Sequence, residues 1–354
     1  MERPIVSVII PVYNKCEYVK ETVISVLEQD FVSFEIIVVD DGSTDDSLKV
    51  VKSIQDQRLH IFSQSNSGVE CARNFGFSKS VGPFVVFLDA DDLMSGDRLR
   101  KQIDLFNATK DLVLVGTWAS VIDHSGNIIG SIRPPTSNAA LQIAHVFRNQ
   151  FVNSSVMIKR SALENDVVFN ETRGKRFAED FDLWLRITKN GQVANIPEKL
   201  TAYRRLKASR SQSIGSSFLE SARDISAEWL HLNTRRFESI TSARSFVMSV
   251  NGLDDLSPSV GCNLKATLQT YKMLTDDLRI GNSPELIDEV RKVMKQHKSH
   301  IAIWCLVGKL PVSIQRKVFS LLNHFKSSQF ALWLVARITI RNSKIVRAEH
   351  KNTL

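Results

Sequence analysis

The run FVVFLDADD, Phe84–Asp92, ends in three carboxylates within four residues. On an extended chain Asp89 and Asp91 point one way and Asp92 the other. The preceding residues are apolar enough for a buried strand, and in open α/β sheets ligands bind beyond the carboxyl ends of the strands. Acids crowded there either repel one another, with raised pKa values, or share a cation. Mg²⁺ or Mn²⁺ suits such oxygen ligands, because one or two protein carboxylates and substrate phosphates complete its shell. The pattern reads as a metal site that holds a diphosphate. The plain alternative is a solvated acidic turn capping the next helix, a position Asp97 is placed to fill.

Three further stretches carry chemistry. VVDDGSTDDS, Val38–Ser47, puts a second acidic pair, Asp40 and Asp41, before Gly42, which permits a sharp turn. A helix cap accounts for Ser43, Thr44 and Asp45 but does not require both aspartates. SNSGVECARNFG, Ser65–Gly76, places Arg73 and Asn74 at the start of a predicted helix, where backbone donors and a guanidinium suit phosphate. Glu179 and Asp180 open another predicted helix. They serve either its dipole or as a carboxylate beside an acceptor hydroxyl.

Other chemistries are disfavoured. PVYNK follows the first apolar run where a dinucleotide fold would carry G-x-G-x-x-G, and no GxxxxGK[ST] is present. The four cysteines lie far apart with no CxxC, against a disulfide framework or zinc site and in favour of a reducing cytoplasm. His297 and His300 have no acidic or cysteine partner nearby and read as solvated; Cys305, in an apolar run, reads as core.

The elements that must position these residues show in the periodicity. VSVIIPV (Val6–Val12), FEIIVVD (Phe34–Asp40), RLHIFS (Arg58–Ser63) and PFVVFLD (Pro83–Asp89) are nearly continuous apolar runs, as in strands buried on both faces. Val19, Val23, Val26 and Leu27 form a helical stripe, and STDDSLKVVKSI opens like a capped helix. The alternation predicts an α/β layer with a mostly parallel sheet. A strand at VLVGTWASVID, a helix over Ala139–Phe147, a helix at EDFDLWLRITKN and a strand at VANIPEKLTAYR continue it. Trp184 and Leu185 are expected to pack the second of these helices on the sheet. Beyond Lys207 the pattern turns helical, and KASRSQSIGSS reads as a polar linker at 206–215.

In order through residues 4–206, these motifs resemble the family 2 glycosyltransferases. VSVIIPVYN is similar to that family's first strand, VVDDGSTDDS to its base loop and NSGVECARNFG to its N-x-G…A-R-N segment. FLDADD is similar to its metal motif, and AEDFDLWLRI to its late acidic motif. The resemblance implies a GT-A fold over 1–206, with a mainly helical region over 215–354. It implies that Pro11 and Tyr13 line a base pocket, Tyr13 stacking on a pyrimidine, and that Asp41 accepts a hydrogen bond from the base. Arg73 would lie near ribose and diphosphate. Asp89 would address ribose or a metal-bound water, Asp91 would be the main ligand of Mn²⁺ or Mg²⁺, and Asp92 would assist or orient the turn. Asp180 would be the general base of an inverting transfer from a nucleotide sugar, UDP by preference, to a glycan or lipid-linked acceptor. Many relatives carry Y-R-x-H after the last strand; here Leu206 stands in place of the histidine, and Arg204, Arg205 or Lys207 are candidates to neutralise the diphosphate. A binding protein that keeps the pocket without turnover is the alternative reading.

The net charge of +8 is unevenly placed. Residues 1–206 hold 24 Lys and Arg against 26 Asp and Glu, and residues 207–354 hold 22 against 12. Thirteen of the basic residues follow Val290, where Glu349 is the only acid. Interleaved with Trp304, Phe319, Phe325, Phe330 and Trp333, they form either a basic-surfaced helical bundle or helices lying on an anionic membrane. No nucleic-acid motif accompanies them. The N-terminal apolar run is too soon broken by Pro11 for a secretory signal, and no apolar run approaches the roughly 18 residues that span a bilayer. The expectation is a cytoplasmic protein, peripheral at the inner face of the plasma membrane if the basic helices bind it.

Overall fold

A computed structural model describes residues 3–31, 33–163, 168–170, 178–206, 216–234, 236–251, 269–273, 292, 293 and 295. The four apolar runs form β1 (Val6–Val12), β2 (Phe34–Asp40), β3 (Leu59–Ser63) and β4 (Phe84–Phe87), all parallel, in the order β3-β2-β1-β4. Every residue of β1 and β2 is buried, as their unbroken apolar character requires. The pleat sorts their side chains to two cores. Val6, Val8, Ile10 and Val12 pack with Val19, Val23 and Val26 of α1 (Val19–Leu27) and with Leu99 of α4 (Arg98–Ala108). Ile9 faces the opposite core, with Ala72 and Phe77 of α3 (Val69–Lys79) and Trp184 of α6 (Glu179–Ile187). Trp184 and Leu185 are buried, as expected of residues fixing that helix. The short α2 (Ser47–Lys52) connects β2 to β3, and α5 (Asn138–His145) follows β7 (Ile128–Ile132).

Beyond β4 the sheet continues β8-β6-β9-β5, with β7 (Ile128–Ile132) paired to β6 (Leu112–Ile122). Here β8 (Met157–Lys159) is antiparallel to both β4 and β6, whereas β9 (Gln192–Arg204) is parallel to β6. The two-residue β5 (Leu93–Met94) follows the carboxylates directly and pairs antiparallel with the end of β9, Leu93 opposite Ala202.

This topology opens a crevice. The chain leaves β1 towards β2 on one side and reaches β4 on the other, which is a switch point. Pairing of β1 with β4 stops at Ile9 opposite Phe87, whereas pairing with β2 runs on to Val12 opposite Asp40. Pro11, buried in β1, has no N–H with which to extend a ladder. Tyr13, Asp41 and Asp89 all follow the carboxyl ends of these strands.

Two compact units divide the chain: 1–141 with 149–222, and 142–148 with the described residues from 223 onward. The second holds α7 (Ser216–Thr234) from Arg223 on and all of α8 (Ile240–Asn251), and in it the Phe147 ring lies 5.9 Å from that of Phe246. Among the described residues no helix is long and apolar enough to cross a membrane. The linker 207–215, the basic region after Val290 apart from residues 292, 293 and 295, and Trp304, Phe319, Phe325, Phe330, Trp333, His297, His300 and Cys305 lie outside the described residues.

Candidate active site

The acids after β4 stand on a turn rather than on a strand: the Asp92 N–H donates to the Asp89 carbonyl at 3.1 Å. The turn still sorts the side chains as alternation would. Asp89 Oδ1 accepts from Arg73 Nη2 at 2.8 Å and from Asn153 Nδ2 at 3.2 Å. Asp91 Oδ2 accepts from Lys15 Nζ at 2.5 Å. Asp92 turns inward, where its Oδ1 accepts from the Arg204 N–H at 2.7 Å. Burial raises the Asp91 pKa against the pull of Lys15, with Asp89 adding to the rise. Asp92 is pushed well above the carboxylate range by burial and then by Asp89 and Asp91. It orients the turn and does not face the crevice. Behind it lies the fully buried Arg98, whose Nη1 donates to the Ser154 carbonyl at 2.5 Å. Burial pulls that guanidinium down to about 9, with Asp92 opposing. Asp97 occupies the position before α4 without capping it; its carboxylate pairs with Lys101 at 2.7 Å.

Arg204 cannot serve the diphosphate. Its Nε donates to the Asp91 carbonyl at 2.9 Å, and its Nη1 to the carbonyls of Asp123 and His124 at 3.0 and 3.1 Å. Its Nη2 bonds Glu21 Oε1, and the guanidinium lies 4.8 Å from the centre of the Tyr18 ring. These donors are spent bracing the turn from behind. The neighbouring Arg205 is exposed, and Lys207 lies outside the described residues.

A second correction concerns Arg73 and Asn74. Gly68, at φ +95°, sets the start of α3 at Val69, so both residues sit beyond the first helical turn rather than at its free N–H groups. The Asn74 amide is committed to the backbone of Phe169, donating to its carbonyl and accepting from its N–H, both at 2.8 Å. Arg73 is buried over the Phe169 ring, 5.0 Å from its centre, and donates through Nη1 to Glu179 Oε1 at 2.9 Å. Burial alone would depress its pKa. Asp89 and Glu179 outweigh that, raising it above the ordinary arginine value and holding the guanidinium charged. One side chain thus ties the carboxylate turn to the start of α6.

That start is sharply bent. Ala178 has a left-handed φ of +75°, and α6 begins at the next residue. Asp180 is held by two donors: Asn149 Nδ2 to Oδ2 at 2.9 Å and the Phe181 N–H to Oδ1 at 2.8 Å. Burial foremost, then the charge of Glu179, pushes its pKa up to about 7, while Arg73 pulls the other way. A carboxylate so poised accepts a proton near neutral pH far better than an exposed aspartate does.

At the β1–β2 side Tyr13 is 46% exposed and Pro11 buried. Asp41 is tied to the end of β1 by its N–H, which donates to the Val12 carbonyl at 2.8 Å. Its carboxylate is occupied by Ser67 N–H and Gln64 Nε2 on Oδ1, at 2.9 and 2.8 Å, and by Gly68 N–H on Oδ2, at 2.9 Å. The aspartate expected to meet a base therefore also folds the 64–68 loop. Gly42 has φ +71°, and a Cβ there would stand 2.8 Å from the Asn66 nitrogen. The rest of VVDDGSTDDS clamps the loop after β1: Asn14 Oδ1 accepts from the Thr44 N–H at 2.8 Å, and Asp45 Oδ2 from the Cys16 N–H at 3.1 Å.

Among the described residues no three His, Cys, Asp or Glu side chains are grouped to hold a metal ion. What the turn offers is the paired carboxylates of Asp89, 32% exposed, and Asp91, 13% exposed. That donor set fits a hard cation taking its remaining ligands from phosphate and water, not an all-protein cage. The sequence reading missed Lys15, Asn149 and Asn153. Lys15 was in view in PVYNK, but nothing local to it points to Asp91, 76 residues away. Asn149 and Asn153 sit in polar loop sequence without periodicity.

The family model described as Glycosyl transferase family 2 matches residues 7–168. A putative teichuronic acid biosynthesis glycosyltransferase, TuaG of Bacillus subtilis, is 32% identical over 217 residues, covering 60% of this chain and 83% of that protein. An uncharacterized glycosyltransferase of Haemophilus influenzae is 34% identical over 167 residues, 46% of this chain and 66% of the relative. Another, from Rickettsia bellii, is 32% identical over 200 residues, 56% of this chain, and the match spans 28% of its length. Among solved structures, S. aureus TarS 1-349 in complex with UDP-GlcNAc superposes with a TM-score of 0.55 at 19% identity, over 84% of this chain and 91% of that one. The mannosyltransferase PcManGT of Pyrobaculum calidifontis, in complex with GDP-Man and Mn²⁺, gives 0.51 at 16% identity, over 95% and 85%. The fold is therefore of the GT-A type, an α/β sheet with its crevice at the carboxyl ends of β1, β2 and β4. The chain belongs to glycosyl transferase family 2.

Proposed function

We propose that residues 1–206 catalyse inverting transfer of a sugar from a nucleotide-sugar donor, a UDP-sugar by preference, to a hydroxyl of a glycan or lipid-linked acceptor. The observation that carries the reading is the Arg73 bridge, 2.8 Å to Asp89 and 2.9 Å to Glu179. It links Asp89, on the carboxylate turn, through one guanidinium to Glu179, the chain neighbour of Asp180, and this supports a single site that takes both donor and acceptor. Tyr13 and Pro11, at the carboxyl end of β1, would take the base, with Asp41, bonded to the Val12 carbonyl, beside them. Asp91 and Asp89 would hold Mn²⁺ or Mg²⁺, which when bound neutralises charge developing on the departing nucleoside diphosphate. Asp180 takes the proton of the acceptor hydroxyl as its oxygen bonds to the anomeric carbon and the bond from that carbon to the diphosphate oxygen breaks. Attack from the face opposite the leaving group inverts the anomeric configuration.

The comparisons support the nucleotide-sugar donor and the divalent metal. TarS is solved with UDP-GlcNAc, and PcManGT with Mn²⁺. TuaG is named for teichuronic acid biosynthesis, which favours a cell-surface polysaccharide as the product. The basic excess of residues 207–354, 22 against 12, favours an anionic membrane surface as the place of work, at the cytoplasmic side where nucleotide sugars are made available.

Release of nucleoside diphosphate from a panel of UDP-, dTDP- and GDP-sugars, with Mn²⁺ or Mg²⁺ and with or without acceptor glycans, tests the proposal. The wild type is expected to release UDP, and Asp180→Asn to lose about 10²–10⁴-fold in rate while still binding UDP. Full turnover by Asp180→Asn, or no release from any donor by the wild type, overturns it.

A further inference from the structure

The carboxylate turn already holds a cation of the chain's own. Lys15 Nζ lies 2.5 Å from Asp91 Oδ2, whereas Asp89 is met by Arg73 and Asp92 by the Arg204 backbone. Among the described residues, Lys15 is the basic side chain that meets the Asp91 carboxylate. Its backbone is pinned. The Lys15 N–H donates to Ser47 Oγ at 2.7 Å, and its carbonyl accepts from the N–H groups of Tyr18 and Val19 at 3.0 and 2.9 Å. The stem is not: the side chain is 28% exposed at the crevice, and a four-carbon chain can swing its ammonium several ångströms about a fixed backbone.

A divalent ion seated on Asp91 would bring two positive charges against this ammonium, which must then leave. The nearest new counter-charge in a loaded crevice is a diphosphate, itself a good acceptor of charge-assisted hydrogen bonds. We propose that Lys15 and the divalent cation compete for Asp91, and that the donor's diphosphate resolves the competition by drawing the ammonium onto its own oxygens. This rests on the reading of Asp91 as the cation ligand and adds to it an order of events. The empty enzyme binds metal poorly, and metal and nucleotide enter together. Lys15 acts twice in the cycle, first as a placeholder and then as a donor-binding group.

The test uses the full chain and its Lys15→Met, Lys15→Arg and Asp91→Asn variants, each checked for folding by circular dichroism. Mn²⁺ alone is titrated by the loss of the free-ion electron paramagnetic resonance signal, and UDP is titrated by calorimetry with and without saturating Mn²⁺. Coupling between two ligands commonly amounts to roughly 5–150-fold. Lys15→Met is therefore expected to bind Mn²⁺ alone at least about tenfold more tightly than the wild type, and UDP with Mn²⁺ at least about tenfold more weakly. Lys15→Arg, which keeps the charge, should keep both affinities near the wild-type values. Mn²⁺ affinity that is unchanged or lower in folded Lys15→Met overturns the competition, provided Asp91→Asn weakens Mn²⁺ binding. If Asp91→Asn binds Mn²⁺ as the wild type does, or neither protein binds it even with UDP, the assignment of Asp91 to the cation fails and this inference falls with it.

Discussion

Replacing Asn149 by alanine should change the pH at which the enzyme works more than its best rate. Asn149 Oδ1 accepts from the Phe151 N–H at 3.0 Å, so the amide is turned with Nδ2 towards Asp180 Oδ2, at 2.9 Å. That bond favours the ionised carboxylate, against burial and the charge of Glu179, which together lift its pKa to about 7. A hydrogen bond to a charged group is worth about 1.5–3 kcal/mol net, or roughly 1–2 pKa units. Without it Asp180 should titrate near roughly 8–9, since Glu179, Arg73 and Asp89, the charged groups around it, are unaltered. At pH 7 the ionised fraction would then fall from about one half to roughly 1–10%, a loss of about 5–50-fold in rate. The assay is the pH dependence of kcat/KM for UDP release, which reports the titration of the free enzyme. The ascending limb should move to higher pH and the rate recover at its alkaline end. An equal loss at every pH, with the limb unmoved, would refute the reasoning and reduce Asn149 to a packing residue.

The same raised pKa has a cost in stability. Between the ordinary value of 3.8 and about 7 the folded protein holds the Asp180 proton more tightly than the unfolded chain, so stability falls as pH rises through that window. Asp180→Asn should accordingly raise the melting temperature at pH 8, by at least about 2 °C, and not at pH 4. Asp45 behaves in the opposite sense. Burial pushes its pKa up, but bonds from Ser47 and Cys16 win and hold it at about 2. Its contribution is present above the ordinary 3.8 and disappears as pH falls through about 2, so Asp45→Asn should destabilise at pH 7 and match the wild type in acid-unfolding scans near pH 2. Arg204→Met removes a buried guanidinium from the exposed Glu21 and from three carbonyls at the back of the turn, and urea titration should record a loss of about 1–3 kcal/mol. Arg204→Lys should not rescue it, because a point ammonium cannot reach those acceptors together.

Of the strands from β1 to β4, β1, β2 and most of β4 were legible because they are buried and therefore apolar, and β3, only partly buried, still keeps Leu59, Ile61 and Phe62. The short strands were not. Met157–Lys159 and Leu93–Met94 are too brief for periodicity, and their place is fixed by long-range pairing with β4, β6 and β9. Four of the five residues of Ile128–Ile132 are exposed, so its composition does not report its position. In the site, crowded acids announced themselves, since such charge at a strand end needs a reason. Their partners did not: Lys15, Asn149 and Asn153 are single polar residues whose meaning comes from loops brought together by the sheet. Arg204 shows the reverse error. A basic residue near the expected diphosphate invites a ligand role, and only the direction of its donors reveals that it holds the turn from behind.

Arg204 ends the last strand of the sheet, 113 residues beyond the Asp91 carbonyl it braces and 183 beyond Glu21. A growing chain must therefore wait. By the time Asp92 is made, Asp41 and the three acids of the turn are present, yet the turn lacks its keystone until β9 slides in beside β6. Contacts of such long range form late and slowly. A fragment cut ahead of Tyr203 would own the motifs and not the instrument, and competence for chemistry should arrive in a single late step of maturation.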